Sequence, residues 1–84
     1  MQRFLLKEEN GKWKAFLLFS VFVKLEETEV RALFWEGSLK ECLRHLEVVN
    51  EVLPIKVFVG KKHFYFDAGS LKREAGRFES NLKS

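Results

Sequence analysis

The sequence predicts a small α+β domain over residues 1–84, with an antiparallel sheet of about five strands and two helices on one face. Three observations support this fold class. A long apolar segment, Lys12–Leu25, alternates as a strand does. Two turn dipeptides, Asn10-Gly11 and Gly60-Lys61, separate alternating segments, and two Gly-Ser pairs precede stretches with helical spacing. The predicted element order is β-β-β-α-β-β-α.

The segment Lys12–Leu25 is predicted to be the central strand. Read with a period of two, one of its faces is entirely apolar, and the other has lysines at its ends and large apolar groups between them. We therefore expect the second face to be at least partly covered as well. The cover on the second face is protein, a second copy of the chain, or a ligand.

The first strand is predicted over Gln2–Lys7. The Asn-Gly pair that follows favours a two-residue hairpin turn, because both residues accept a positive φ. The resulting register pairs Leu6 with Ala15 on the apolar face. It also sets Lys7 opposite Lys14, a like-charge pair that is unfavourable unless an anion lies there.

The third strand is predicted over Glu29–Glu36, after a turn at Glu26–Thr28. A register that sets Lys24 opposite Glu29 satisfies an ion pair and keeps the apolar residues of both strands on one face. The same register places Trp35 on the other face.

The first helix is predicted to begin after Ser38, because Ser38 is a good N-cap and Glu41 follows three residues later as in a capping box. Pro54 ends the helical region. Cys42 lies within the apolar stripe and is predicted to be a small buried hydrophobe. The stripe consists of Leu39, Cys42, Leu43, Leu46, Val49 and Leu53.

A second hairpin is predicted from Ile55–Val59 and Lys62–Phe66, joined by a two-residue Gly-Lys turn. The last helix opens at Gly69-Ser70. Its apolar stripe consists of Leu71, Ala75, Phe78 and Leu82.

The two strand–turn–strand–helix units resemble each other in sequence. A shift of 32 residues places the segment Phe34–Lys40 on the segment Phe66–Lys72, with Gly-Ser and Leu-Lys pairs in common. This pattern is consistent with an internal ββα duplication. Gly-Ser before a helix is also common capping chemistry, so independent origin stays open.

Composition bounds the function classes. The net charge is +3, and it is uneven: residues 1–51 sum to −1 and residues 52–84 to +4. This bias permits an anionic partner without requiring one. The single Cys42 allows no internal disulfide, and the longest apolar run is too short to cross a bilayer. With no signal-peptide pattern visible, we expect a cytoplasmic protein that contacts no membrane.

The functional candidate is the sheet face that the helices leave uncovered, here called the open face. The predicted registers interleave basic groups and aromatic rings on it, with Glu29 as the one acid. Cations that hold phosphates and rings that stack on bases are typical of surfaces that bind single-stranded nucleic acid. The candidate binding residues are Lys14, Phe16, Phe22, Lys24, Arg31, Trp35, Lys56, Phe58, His63 and Tyr65.

Catalytic chemistry is not indicated. The order β-β-β-α-β also opens the RNase H-like fold, whose chemistry needs several carboxylates around metal ions, whereas Asp67 is the one aspartate here. The chain has no Cys/His pair at zinc spacing and no Gly-rich phosphate loop. We therefore expect no enzyme, no metal and no cofactor.

Residues 3–53 resemble a PUR repeat of the PUR-alpha family, within the Whirly-like group. The segments that carry the resemblance are Arg3–Gly11, the long apolar strand, and Ala32–Trp35 running into the amphipathic helix. The resemblance implies a curved antiparallel sheet backed by a helix. It also implies binding of single-stranded DNA or RNA through the sheet, often by paired repeats or subunits.

Together these features predict a small basic protein that binds single-stranded DNA or RNA with little sequence specificity. The alternative is a non-enzymatic protein–protein interaction module or a subunit of an obligate homodimer, in which the open face packs on a second copy. A dimer that also binds nucleic acid would join the sheet edges of two copies into one continuous sheet. The predicted edge strands are Gln2–Lys7 and Lys62–Phe66.

Overall fold

The computed structural model describes residues 1–83 as a five-stranded mixed sheet with two helices, and it confirms the α+β class and the predicted element order. Neither helix in this range has the length and apolar character needed to cross a membrane. The elements are β1 (Gln2–Glu9), β2 (Lys12–Val23), β3 (Glu26–Gly37), α1 (Leu39–Asn50), β4 (Ile55–Val59), β5 (Lys62–Phe66) and α2 (Ser70–Lys83).

The strands lie in the order β3-β2-β1-β4-β5, and β1 pairs with β4 in parallel. The sheet is therefore mixed, and the prediction of a purely antiparallel sheet is wrong. The reason is geometric: β3 runs in the same direction as β1, and α1 carries the chain back to the end of the sheet where β1 begins.

The strand order also changes which edges are open. β1 is paired on both sides, so the prediction that Gln2–Lys7 forms an edge is wrong. β2 is an interior strand, but β1 occupies the middle of the sheet, so the prediction that the long apolar segment is the central strand is wrong. β5 is an edge as predicted, and β3 forms the other edge.

The register of the first hairpin is confirmed. Glu9 lies opposite Lys12 and Leu6 lies opposite Ala15. Asn10 and Gly11 have φ of 53° and 80°, so both adopt the left-handed conformation of a type I′ turn.

The hairpin of β2 and β3 differs from its prediction. Lys24 and Leu25, with φ of 53° and 69°, form a two-residue turn that sets Val23 opposite Glu26. The predicted turn at Glu26–Thr28 and the pairing of Lys24 with Glu29 are therefore wrong. Two non-glycine residues occupy left-handed positions here, and the sequence carries no Asn-Gly or Gly-X signal to mark them.

A β-bulge interrupts β3 further along. Ala15 faces Trp35 but Phe16 faces Leu33, so Phe34 is the extra residue of the bulge. Because one residue is added, Phe34 and Trp35 both lie on the helix side, and the alternation of faces is reversed from Trp35 onward.

Both helices pack on one face of the sheet, as predicted. The buried core consists of Phe4, Leu6, Ala15, Leu39, Cys42, Leu43, Leu46, Ile55, Val57, Phe66, Leu71 and Phe78. Burial raises the pKa of the Cys42 thiol to about 11, which keeps it protonated at neutral pH and confirms its prediction as a buried hydrophobe. The capping box is also confirmed: the Glu41 N–H donates to Ser38 Oγ at 3.1 Å, and the Ser38 N–H donates to Glu41 Oε1 at 3.4 Å.

The two strand–turn–strand–helix units flank β1, one on each side. Phe34 and Phe66 both pack at the core, and Leu39 and Leu71 are both buried at the starts of the helices. These equivalent positions agree with the aligned segments, and an internal duplication stays a prediction.

Asn50 is a fully buried polar residue at the end of α1. Its side-chain amide donates to the carbonyl oxygens of Leu53, Phe66 and Asp67 at 3.1, 3.3 and 3.0 Å. Its Oδ1 accepts from the Leu71 N–H at 2.9 Å. One side chain therefore joins the ends of α1 and β5 to the start of α2.

Replacing Asn50 by alanine should lower the free energy of unfolding by roughly 2–4 kcal/mol, because the substitution leaves the buried Leu71 N–H and several carbonyls without a partner. Urea unfolding followed by circular dichroism measures the effect. A loss below about 1 kcal/mol would contradict this role.

Gly76→Ala is the matched control within α2. Gly76 is exposed, and an added Cβ would meet no atom within 4 Å. The substitution should raise the free energy of unfolding by roughly 0.5–1 kcal/mol through helix propensity.

Candidate functional site

Eight of the ten predicted site residues share the open face. The strand registers place Lys14, Phe16, Phe22, Arg31, Lys56, Phe58, His63 and Tyr65 there. Lys24 lies in the turn between β2 and β3, and Trp35 lies on the helix side.

Trp35 is displaced by the bulge at Phe34. It faces Ala15 of the core and stacks on His45 of α1, with ring centroids 3.6 Å apart and an interplanar angle of 17°. The prediction that Trp35 belongs to the open face is therefore wrong. The sequence pattern alone does not reveal the extra residue that reverses its direction.

The open face carries more acid than predicted. Because β1 extends to Glu9 and β3 is paired in a different register, the face holds Glu9, Glu27, Glu29 and Glu36, instead of Glu29 alone. Arg3 contacts Glu29 at 2.8 Å across this face. Much of the predicted positive charge is thus balanced by the protein's own carboxylates.

The predicted pair of facing lysines is a clear example. Lys7 lies opposite Lys14, as predicted, and the Nζ atoms of both lysines lie 3.3 Å from oxygens of Glu9. Hydrogen bonds from Lys7 and Lys14 hold the pKa of the Glu9 carboxyl below its ordinary value. The anion that this pair of lysines requires is therefore the carboxylate of Glu9, which lies on β1 with Lys7.

Two aromatic rings of the open face each have a cationic group close to them. The guanidinium of Arg31 lies 4.7 Å from the ring centroid of Phe16, and Lys56 Nζ lies 5.7 Å from that of Phe58. The more exposed rings are Phe22 at 76% and Tyr65 at 52%. A hydrogen bond to Asp67 raises the pKa of the Tyr65 hydroxyl.

A basic and aromatic cluster persists on the outer half of this face. Lys56 lies opposite Tyr65, and Phe58 lies opposite His63. We call these four residues the β4–β5 patch. None of the open-face residues of β4 and β5 is acidic, and Arg3 of β1 lies beside Lys56.

The hairpin of β2 and β3 projects beyond the rest of the sheet. β1 pairs with β2 only as far as Leu18, so residues 19–30, here called the hairpin arm, form a two-stranded ribbon. Of the ten exposed large hydrophobic residues within 1–83, six lie on this hairpin: Phe19, Phe22, Val23, Leu25, Leu33 and Trp35.

The exposure of Phe19, Val23 and Leu25 is not predicted from the sequence, because alternation places all three on the apolar face of the long strand. The signal was present in its length, since twelve residues of β2 exceed the eight available in β1. The surplus must project beyond β1.

The outer edge of β3 is unpaired along its length. The segment Glu26–Leu33 contains no proline and no lysine, and its charged residues are three glutamates and Arg31. Natural proteins protect such an edge with proline, with charged residues, above all lysine, or with a covering element. This edge has charges alone, so a strand that carries complementary charges can pair with it.

Within residues 1–83 no group of three or more His, Cys, Asp or Glu side chains is placed to hold a metal ion. A surface cavity of about 370 Å³ lies between β5 and α2 and is lined by residues that include Phe64, Arg77 and Phe78. Comparison with protein-family models, curated proteins and solved structures finds no match for this chain.

Glu9→Gln should remove a pH-dependent part of the stability. The lowered pKa of Glu9 means that its contribution is present above the ordinary value of 4.5 and is lost as the pH falls through the folded-state value. Urea midpoints should therefore fall less between pH 7 and pH 3 in the variant than in the wild type. Glu8→Gln, an exposed neighbour on the other face, is the control and should follow the wild type. Parallel curves for wild type and Glu9→Gln would contradict the bridging role.

Proposed function

We propose that this protein is a non-enzymatic interaction module that self-associates through its hairpin arm. The observation that carries the proposal is the concentration of exposed large hydrophobic residues on the β2–β3 hairpin. Apolar patches of this kind on a small domain are typical of protein–protein contacts.

Leu25 gives the strongest local support. It is 98% exposed at the tip of the arm and has a φ of 69°. Asn or Gly would adopt this conformation with less strain, and a fully solvated leucine contributes little to the isolated fold. The Leu25 side chain would contribute to stability only in a complex in which another surface covers it.

A second copy is the occupant that the arm's own chemistry favours. The open edge of β3 carries Glu29 and Arg31 on the same face, two residues apart. A strand that presents both members of an ion pair is complementary to its own two-fold image.

Removing apolar groups from the arm should weaken association. Phe22→Ser and Leu25→Gly should each raise the dissociation constant of the dimer roughly tenfold or more, because a large side chain loses its burial. Sedimentation velocity over a micromolar concentration range measures this. Val52→Ser removes a residue that is also well exposed but lies outside the hairpin, and should leave the constant unchanged. A wild-type protein that stays monomeric at high micromolar concentration would refute the proposal.

A second candidate function is binding of single-stranded DNA or RNA at the β4–β5 patch. The observation in its favour is the pairing of Lys56 with Tyr65 and of Phe58 with His63, with no acidic residue within β4 or β5 on the open face; Asp67, just after β5, hydrogen-bonds the Tyr65 hydroxyl. The resemblance of residues 3–53 to a PUR repeat adds support, because that family binds single strands through its sheet. Little sequence preference is expected, since every base has a face that can stack.

Fluorescence titration with a single-stranded oligonucleotide at two salt concentrations tests this candidate. Tyr65→Ala should cost about 1–3 kcal/mol of binding free energy through lost stacking, and affinity should fall steeply with salt. Trp35→Phe, on the helix side, is the control and should bind as the wild type does. No binding at low salt would exclude this candidate and leave self-association unaffected.

A further inference from the structure

We infer that two copies pair antiparallel through β3, with Val30 of one copy opposite Val30 of the other. The inference rests on the proposed self-association and adds its geometry. It draws on the backbone of the open edge and on the charges along it.

The backbone limits the possible registers. The residues that flank the two-residue turn, Val23 and Glu26, exchange hydrogen bonds, and the pattern then alternates along the ladder. Thr28 and Val30 therefore direct their N–H and C=O groups toward β2, and the odd-numbered residues between Glu26 and Leu33 direct theirs outward. Two β3 edges can form an antiparallel ladder only if their outward-directed N–H and C=O groups face each other. Odd-numbered residues of one copy therefore lie opposite odd-numbered residues of the other, and even-numbered residues lie opposite even-numbered ones.

Charge then selects among these registers. A pair centred on Thr28 sets Glu27 opposite Glu29 twice, and one centred on Arg31 sets Arg31 opposite itself. A pair centred on Glu29 sets Glu27 opposite Arg31 twice but also sets Glu29 opposite itself. The pair centred on Val30 sets Glu29 opposite Arg31 twice, once on each side of the two-fold axis, and opposes no like charges. Directly opposed like charges destabilise a sheet and opposite charges stabilise it.

The open-face geometry is compatible with this register. Glu29 already accepts from Arg3 Nη1 at 2.8 Å, so its carboxylate would lie between two guanidinium groups. Arg31 is held over Phe16 on the same face, beside the strand edge. Because the register pairs odd with odd, the open faces of the two copies lie on the same side of one ten-stranded sheet.

The register also gives Leu25 a neighbour. In this pairing the tip of each arm reaches the level of Trp35 in the second copy, where the β3 bulge lies. Both residues are exposed in the single chain. The association closes as a two-fold dimer, because each edge is satisfied by its own equivalent.

Engineered disulfides test the register directly. Val30 would form a non-hydrogen-bonded pair with its equivalent, at a Cα separation of about 4.5 Å, which a disulfide can span. Val30→Cys should give mostly covalent dimer under mild oxidation, as seen by non-reducing electrophoresis. Thr28→Cys is the matched control on the same strand face: its two copies would lie about 13 Å apart along the strands and should not cross-link. The wild type, whose Cys42 is buried, should not cross-link either.

Charge reversal gives an independent readout. Glu29→Arg and Arg31→Glu should each raise the dissociation constant roughly tenfold or more, and the double variant should return to within about threefold of the wild type. Arg3→Gln removes only the ion pair between Arg3 and Glu29 of the same chain. Its dissociation constant therefore separates the loss of that ion pair from the loss of the Glu29–Arg31 pairs between copies. If the wild type dimerises but Val30→Cys does not cross-link and the double charge reversal does not restore the dissociation constant, this register is wrong and the proposed self-association is unaffected. A monomeric wild type would overturn both.

Discussion

The fold depends on one buried amide. Asn50 ends α1, and its side chain fixes the chain where it leaves β5 and enters α2, while its own carbonyl accepts from the Gly69 N–H at 2.7 Å. Because these partners lie far apart in sequence, the amide defines the position of the second half of the molecule relative to the first. A polar group in such a place specifies one arrangement where an apolar contact would tolerate several.

Local features could be predicted from the sequence, since neighbouring residues decide them. Asn10-Gly11 dictates its own turn, and the register of β1 and β2 follows from it. Ser38 with Glu41 begins α1 in the same way. The Lys24-Leu25 turn was not predictable by these rules, because a charged and an apolar residue occupy positions where glycine or asparagine is usual.

Non-local features account for the remaining differences. The parallel pairing of β1 with β4 depends on the path of α1 across the sheet, and no dipeptide encodes it. At the bulge, the Phe34 ring packs against Phe4, a residue of β1, at a centroid distance of 5.3 Å. The consequence of the bulge for the candidate site is large, since it moves Trp35 to the helix side and brings Glu36 to the open face. Patterns of alternating residues describe a face well until a single inserted residue reverses them.

The hairpin arm has a consequence for how the length of this protein can vary. Beyond Leu18 the arm rests on neither β1 nor the buried core, so residues can be lost or gained there without disturbing the packing. Removing two residues from each strand of the ribbon keeps every remaining side chain on its face, whereas removing one residue from each strand exchanges the faces of all residues between the deletions and the turn. Related chains should therefore differ in arm length by multiples of four residues, and two copies with arms of unequal length would align fewer of their strand residues.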